Sequence, residues 1–149
     1  MPINRRVAVI RQFGRTYRLF LSAFESEVGL PLVRWALLLA LYQRDTPASQ
    51  KVLAEQLRID PGALTRHLKA MEGLGWVERH TDTRDNRVTN VQLSANGREV
   101  VLRALPQRDA FIDRTVSVLP DEAVDALSAA LEMLEGQLQQ RAAAPRVTA

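Results

Sequence analysis

Cysteine is absent from the 149 residues of this chain. Its absence excludes disulfide frameworks, thiolate metal sites, cysteine nucleophiles and thiol-based redox sensing. Long apolar runs are absent too, because the longest, residues 35–42, is too short to cross a bilayer. The arginine-containing start lacks the apolar stretch and the cleavage site of a signal peptide. The sequence therefore predicts a cytoplasmic protein with no membrane partner.

Aromatic residues make up only 5% of the chain, whereas 46% of the residues are apolar and 25% are charged. This composition indicates one globular domain that is richer in helix than in sheet, and it excludes a disordered acidic tail. The formal net charge is +3, and no segment is a polycation. Contact with a nucleic acid must therefore depend on where individual arginines lie.

Apolar residues recur at helical spacing over most of the chain. Predicted helices begin near residues 7, 32, 50, 61, 95 and 120. Ser49 is expected to cap the third helix, and Asp60 the fourth, which has Pro61 at its first position. Pro106 is expected to kink the fifth helix, and residues 142–149 are expected to form a disordered tail.

The apolar period changes from about 3.6 to 2 in segments 76–80 and 89–93, which predicts a β-hairpin with a polar tip. A short helix, a three-residue turn, a second helix and this hairpin follow one another as in a winged helix-turn-helix. The predicted fold is therefore mainly α with a small β-hairpin wing. Residues 31–94 form the predicted DNA-binding lobe.

The second helix of this unit has an apolar stripe and, opposite it, a polar and cationic face. The residues on this face are Gly62, Thr65, Arg66 and Lys69, with His67 on the flank. Arg66 is suited to read a guanine edge or to clamp a phosphate, Lys69 to pair with a phosphate, and Thr65 to contact either. The alternative interpretation is an ordinary solvated helix face.

The tip of the hairpin carries Arg84 and Arg87 on a loop that is too polar to pack. Arginine on a slim, protruding loop suits the minor groove, where narrow A·T stretches concentrate negative potential. A charged hairpin tip can also be a simple soluble turn. Next to the cationic helix, it is interpreted as the second contact of a protein that reads two grooves.

Five stretches carry a resemblance to a known family. They are LAEQL at 53–57, LTRHL at 64–68, MEGLGWVER at 71–79, DNR at 85–87 and LSANG at 93–97. In this order, and flanked by long terminal helices, they make the chain resemble the MarR family of bacterial winged-helix transcription regulators over nearly its whole length.

The resemblance assigns roles to individual residues. It implies that residues 61–74 form the recognition helix, with Thr65 and Arg66 in contact with DNA. It also implies that Arg87 enters the minor groove and that Asp85 orients it, with Arg84 as a further candidate. Gly62 departs from the polar residue that relatives often have, which puts base reading by the first turn in doubt.

The resemblance also implies a homodimer that binds a pseudo-palindromic operator. Residues 1–30 and 95–141 would form the helical dimerisation region, although their apolar stripes can also pack within one chain. In relatives, small aromatic or anionic effectors bind between the dimer helices and the winged lobe. The candidates here are Phe13, Arg15, Tyr17 and Trp35, whose alternative role is in the core.

The expected function is a sequence-specific regulator of transcription that binds double-stranded DNA, in particular a ligand-responsive repressor. The alternatives are a winged helix that binds protein and, least favoured, an enzyme. The only two histidines, His67 and His80, have no carboxylate pair or nucleophile beside them in the predicted fold. No catalytic activity, metal or cofactor is therefore expected.

Overall fold

A computed structural model describes residues 4–143 of the chain. Six helices and three strands are present in this part of the chain: α1 Arg5–Val28, α2 Leu32–Tyr42, β1 Ala48–Ser49, α3 Gln50–Leu57, α4 Pro61–Gly73, β2 Val77–Thr81, β3 Thr89–Leu93, α5 Ala95–Thr115 and α6 Asp121–Ala143. They fall into two compact units, one up to Phe111 and one from Ile112 onward. The predicted mainly α fold with a small wing is confirmed.

The long first helix is bounded by two residues suited to these positions. The side chain of Asn4 accepts a hydrogen bond from the backbone amide of Arg6 at 3.0 Å, as an N-cap does. Gly29 ends the helix with φ at 79°, a left-handed conformation that glycine adopts without a side-chain clash. The central helix α2 follows, and five of its eleven residues are buried.

The predicted caps of the two helix-turn-helix helices are confirmed. The hydroxyl of Ser49 accepts from the amide of Val52 at 3.2 Å, and the carboxylate of Asp60 accepts from the amide of Ala63 at 3.0 Å. Pro61 occupies the first position of α4, where its missing N–H leaves nothing unpaired. These local signals fix where α3 and α4 begin.

The wing belongs to a three-stranded antiparallel sheet of order β1–β3–β2. The predicted hairpin is present, with Thr81 opposite Thr89 at the end nearest the tip. The short strand β1 is additional: Ala48 pairs with Val91 on β3, which ties the start of α3 to the wing. The sequence did not predict β1, because two residues are too few to show an alternating pattern.

The core lies under α2, α4 and the wing and extends to α5. Its largest fully buried side chains are Phe24, Phe111, Leu37, Leu38, Leu53, Leu64, Leu68, Met71, Val91 and Val101. The ring of Phe111 lies edge-on to Phe20 and to Phe24, with centroids 5.3 and 5.5 Å apart. Such edge-to-face pairs stabilise the packing beyond the area that they bury.

A close backbone contact joins α5 to the base of the wing. A Cβ atom on Gly97 would lie 1.9 Å from the carbonyl oxygen of Trp76, so only glycine fits there. The hydroxyl of Ser94 accepts from the amide of Gly97 at 3.0 Å and thereby caps α5, as the sequence predicts. The helix continues through Pro106 to Thr115.

The last helix, α6, has no buried residue. It begins at Asp121, with Glu122 also in its first turn, where acidic side chains stabilise the positive end of the helix dipole. It includes Ala142 and Ala143, so these two residues of the tail expected to be disordered are helical instead. The rest of the predicted tail, 144–149, lies outside the described residues.

Candidate nucleic-acid interface

The exposed face of α4 is the one that the sequence predicts. Leu64, Leu68 and Met71 are buried, and at about 100° per residue they turn the other side of the helix outward. Arg66 and Lys69 are exposed there. The buried stripe therefore holds α4 so that its cationic side faces solvent.

Gly62 leaves room for Arg66 at the start of this face. The Nη1 atom of Arg66 lies 4.0 Å from the point where a Cβ on Gly62 would stand. The guanidinium thus lies beside the first turn of the helix, where a longer side chain at position 62 would compete for the space. Gly62 itself offers no side chain for reading a base, in line with its departure from the family pattern.

Thr65 is engaged in hydrogen bonds within the protein. Its hydroxyl donates to the carbonyl oxygen of Pro61 at 3.0 Å and accepts from Nε2 of Gln50 at 3.1 Å. Its side chain is half-buried, and so is that of His67. Of the five residues predicted on this helix face, Arg66 and Lys69 thus present exposed charge, whereas Thr65 is held against α3.

The tip of the wing is organised by an aspartate that sequence reasoning missed. Asp82 accepts hydrogen bonds from the backbone amides of Arg84, at 2.8 Å, and Asp85, at 3.1 Å. Its second oxygen accepts from Nδ2 of Asn90 at 2.9 Å. These bonds stabilise the carboxylate and hold its pKa below the ordinary value of 3.8, the Arg84 amide contributing most. The sequence feature that indicates this role is an aspartate at the first position of a turn.

Asp85 contacts Arg87 through the backbone. Its carboxylate accepts from the amide of Arg87 at 3.0 Å, and its carbonyl oxygen accepts from the amide of Val88 at 3.0 Å. The family resemblance predicts that Asp85 orients Arg87. In this structure Asp85 sets the backbone from which the Arg87 side chain extends, and leaves the guanidinium exposed.

Four predicted contact residues carry positive charge that no carboxylate neutralises. These residues are Arg66, Lys69, Arg84 and Arg87. Within residues 4–143, their side chains form no ion pair and no hydrogen bond. Two of them lie on α4 and two on the loop between β2 and β3. An exposed and unpaired cation loses little by moving from water to a phosphate or a base edge.

The predicted effector residues do not share one site. Phe13 and Tyr17 stack with centroids 6.2 Å apart, and their exposed fractions are 46% and 47%. Arg15 lies two residues from each, which places it on the opposite side of α1. Trp35 is only 4% exposed and has the guanidinium of Arg108 over its ring at 5.6 Å, so it packs as a core residue.

A cavity of about 420 Å³ lies between the end of α1, the base of the wing and α5. Its apolar walls include Val28, Trp76 and Val100, and its polar groups are the side chains of Arg103 and Gln107. Sequence reasoning did not bring these residues together, since they come from three separate segments. Size and lining fit a small, partly apolar molecule with an anionic or polar group.

The described residues provide neither a cluster of metal ligands nor a membrane span. No group of three or more histidine, cysteine or acidic side chains is placed to hold a metal ion in the part of the chain that the structure covers. Over the same residues, no helix combines the length and the apolar character that crossing a bilayer requires.

Known sequences resemble this chain over part of its length. Residues 30–89 match the model of the MarR family. An HTH-type transcriptional regulator of Bacillus subtilis, YdgJ, is 38% identical over 89 residues, which are 60% of this chain and 54% of that protein. The chain thus spans about half the length of the curated relatives that it matches.

Solved structures share the fold over most of the chain. One of them is the PcaV transcriptional regulator from Streptomyces coelicolor in complex with its natural ligand, which superimposes with a TM-score of 0.83 at 13% identity. The matched region covers 91% of this chain and 97% of the PcaV chain. A mutant MarR from E. coli, complexed with operator DNA, has a TM-score of 0.79 at 19% identity and covers 90% and 98%. These likenesses show the fold of solved MarR-type regulators, and the match to the MarR family model covers residues 30–89 of this chain.

Proposed function

We propose that this protein is a transcriptional regulator that binds double-stranded DNA sequence-specifically. The observation that carries the proposal is the set of four unpaired cations on α4 and the wing tip. The MarR of similar fold is complexed with operator DNA in its crystal structure, which supports the same use of the lobe here. Such a regulator acts in the cytoplasm, where bacterial operators are found, and it performs no catalysis.

Each cation has a task that follows from its position. The helix α4 enters the major groove, where Arg66 hydrogen-bonds a guanine edge or a phosphate and Lys69 pairs with a phosphate. Arg87 enters the adjacent minor groove from the wing, and Arg84 contacts the neighbouring phosphate backbone. Base-edge contacts specify the sequence, whereas phosphate contacts set the register and make the affinity depend on salt.

The protein acts as a homodimer, because α6 exposes too much apolar surface for a single chain. None of its residues is buried, although five apolar residues follow one side of the helix: Val124, Leu127, Leu131, Leu134 and Leu138. A second copy related by a two-fold axis would bury this stripe. Two α4 helices then bind half-sites of a pseudo-palindrome about one helical turn apart.

The charges of the terminal helices support the pairing of two copies. Residues 4–24 contain five arginines and no acidic residue, whereas residues 121–140 contain five acidic residues and no basic one. Opposite charges on α1 of one copy and α6 of another attract each other, and like charges disfavour the pairing of two α1 helices. Charge therefore favours a dimer in which α1 of one copy lies against α6 of the other. The apolar stripes supply most of the stability of this dimer.

A small aromatic or anionic effector controls the regulator, most simply as a repressor that the effector releases from DNA. PcaV, which has a similar fold, is bound to its natural ligand in its crystal structure. The cavity beside Trp76 and Arg103 is a site of suitable size for such a molecule in this chain. The cavity touches the base of the wing, so occupancy can bias the position of the wing.

Selection from a random-sequence pool of duplexes tests the proposal. The wild-type protein should enrich a sequence with an inverted repeat, and its affinity for that duplex should exceed its affinity for a scrambled duplex of equal length and composition. Affinity for the selected duplex should fall steeply with salt concentration as phosphate counterions are released. Equal affinity for both duplexes would leave only non-specific binding and would refute sequence-specific regulation.

A further inference from the structure

A continuous chain of hydrogen bonds joins β2 and α3 to both ends of α4. The guanidinium of Arg79 donates from Nε to Oε2 of Glu72 at 2.8 Å and from Nη1 to Oε1 of Gln50 at 3.4 Å. Gln50 donates from Nε2 to Oγ1 of Thr65 at 3.1 Å. Thr65 then donates to the carbonyl oxygen of Pro61 at 3.0 Å, in the first turn of α4.

Every bond in this chain has a fixed direction. A guanidinium only donates, so Gln50 presents its carbonyl oxygen to Arg79 and its amide nitrogen to Thr65. The hydroxyl of Thr65 accepts from that nitrogen, and its single proton goes to Pro61. No proton of the hydroxyl is left for a phosphate oxygen, which can only accept. While these hydrogen bonds are intact, Thr65 therefore cannot donate a hydrogen bond to a DNA phosphate.

The strand β3 holds both residues of the hydrogen bond between Arg79 and Gln50 in place. On β3, Val91 pairs with Arg79 on one side and with Ala48 on the other. Asn90, the residue before Val91, pairs with Ser49, directly before Gln50 in the sequence. The side chain of Arg79 is only 19% exposed, so water competes weakly for its bonds. The sheet thus supplies a rigid frame, and the side chains transmit its position to α4.

We propose that Arg79 and Gln50 are positioning residues, which orient α4 relative to the wing without touching DNA. The proposal rests on the proposed function, in which α4 and the wing tip enter adjacent grooves of one duplex. Their relative orientation must then match the spacing of the grooves. If this series of hydrogen bonds is broken, α4 can shift. Base-edge hydrogen bonds, which depend on geometry, then weaken before the more tolerant phosphate contacts do.

Two neutral substitutions separate positioning from direct contact. We expect Gln50→Ala and Thr65→Val each to bind the selected duplex roughly three- to tenfold more weakly, about the effect of removing one hydrogen bond. Binding to the scrambled duplex and the slope of affinity against salt should stay as in the wild type, because every phosphate contact remains. The double variant should bind no more weakly than the weaker single variant, because both break the same chain.

Matched variants control for folding and for generic effects. Gln92→Ala removes an amide that donates to Glu78 at 2.8 Å on the wing but has no bond to α4, so its affinity should not change. Thr65→Ser keeps the hydroxyl and should bind like the wild type. Thermal unfolding of every variant is measured on the same samples. If Gln50→Ala does not fold, the positioning role is tested by comparing Thr65→Val with Thr65→Ser. The Arg79→Lys variant, which can keep only one of the two bonds of Arg79, then provides the second test.

Three results would overturn the positioning role: wild-type affinity of Gln50→Ala for the selected duplex, additive losses in the double variant, or an equal loss on the scrambled duplex. Additive losses would mean that Gln50 and Thr65 each contact DNA independently. A wild-type protein that does not prefer its selected duplex would instead refute the proposed function, so the two failures are distinguishable.

Discussion

The side chain of Asn90 donates a 2.9 Å hydrogen bond to the carboxylate of Asp82, which ties the loop at the wing tip to β3. The other oxygen of the same carboxylate holds the amides of Arg84 and Asp85. One aspartate thus shapes the loop that presents Arg84 and Arg87. The wing tip is ordered by local polar bonds, since the loop is too polar to be held by packing.

Removal of this carboxylate should therefore weaken DNA binding, although it removes a negative charge near the DNA. We expect Asp82→Ala to bind the selected duplex roughly fivefold more weakly, because the loop loses three hydrogen bonds that order it. Electrophoretic mobility shift or fluorescence anisotropy measures the affinity. The control is Asp113→Ala, which removes an equal charge from an exposed position on α5. Tighter binding of Asp82→Ala would contradict the ordering role.

The order of the wing tip should also depend on pH in a defined direction. The hydrogen bonds lower the pKa of Asp82 in the folded protein below 3.8, so the carboxylate form is favoured by folding. This contribution to stability is complete above about pH 5, declines as the pH falls through 3.8 and is lost below the folded pKa. Hydrogen exchange at the amides of Arg84 and Asp85 should lose protection over that range, relative to the backbone core.

The same amides in Asp82→Asn provide the control for the pH experiment. Asparagine has no carboxylate to protonate, so the specific loss of protection at the wing tip should disappear. A loss of the same size in both proteins would assign the pH dependence to some other group.

The contact between α5 and the base of the wing should tolerate no side chain. Gly97→Ala places a methyl group 1.9 Å from the carbonyl oxygen of Trp76, so backbone must move. We expect a loss of about 1–3 kcal/mol in the free energy of unfolding, measured by urea titration. Gly73→Ala meets nothing within 4 Å and should be neutral or stabilising by up to about 1 kcal/mol. Equal stability of the two variants would refute the close approach.

Much of the fold follows from local patterns in the sequence. The caps Ser49 and Asp60 are predictable because a side-chain oxygen and a following amide lie three residues apart. The outward positions of Arg66 and Lys69 follow from the apolar stripe of α4, which leaves only one side for solvent.

Other features depend on pairing between distant segments. The bond between Arg79 and Gln50 joins residues 29 positions apart, and no local period connects them. The strand β1 exists because β3 offers it a partner, since two residues carry no pattern of their own. Asp82 lies within a predicted loop, but which of the acidic residues there binds the backbone depends on the exact path of the loop.

A charge on the apolar side of α6 should prevent dimerisation. Leu134→Glu places a carboxylate in the stripe that a second copy is proposed to cover, so its desolvation would oppose association. Sedimentation equilibrium should give a dimer for the wild type and a monomer for the variant at micromolar concentration. The control Gln140→Glu adds the same charge on the opposite side of the helix and should remain dimeric. A dimeric Leu134→Glu would place the interface elsewhere.

The most direct test of DNA binding by α4 and the wing tip is the affinity for the selected duplex, measured against salt, of Arg66→Ala and Arg87→Ala. We predict that each variant loses about 1–3 kcal/mol of binding free energy, and that removal of a phosphate contact reduces the salt slope by about 1. Arg141→Ala, at the end of α6, removes the same charge away from the proposed interface and should leave both values unchanged. Wild-type affinity and slope in both Arg66→Ala and Arg87→Ala would contradict the claim that α4 and the wing tip bind DNA.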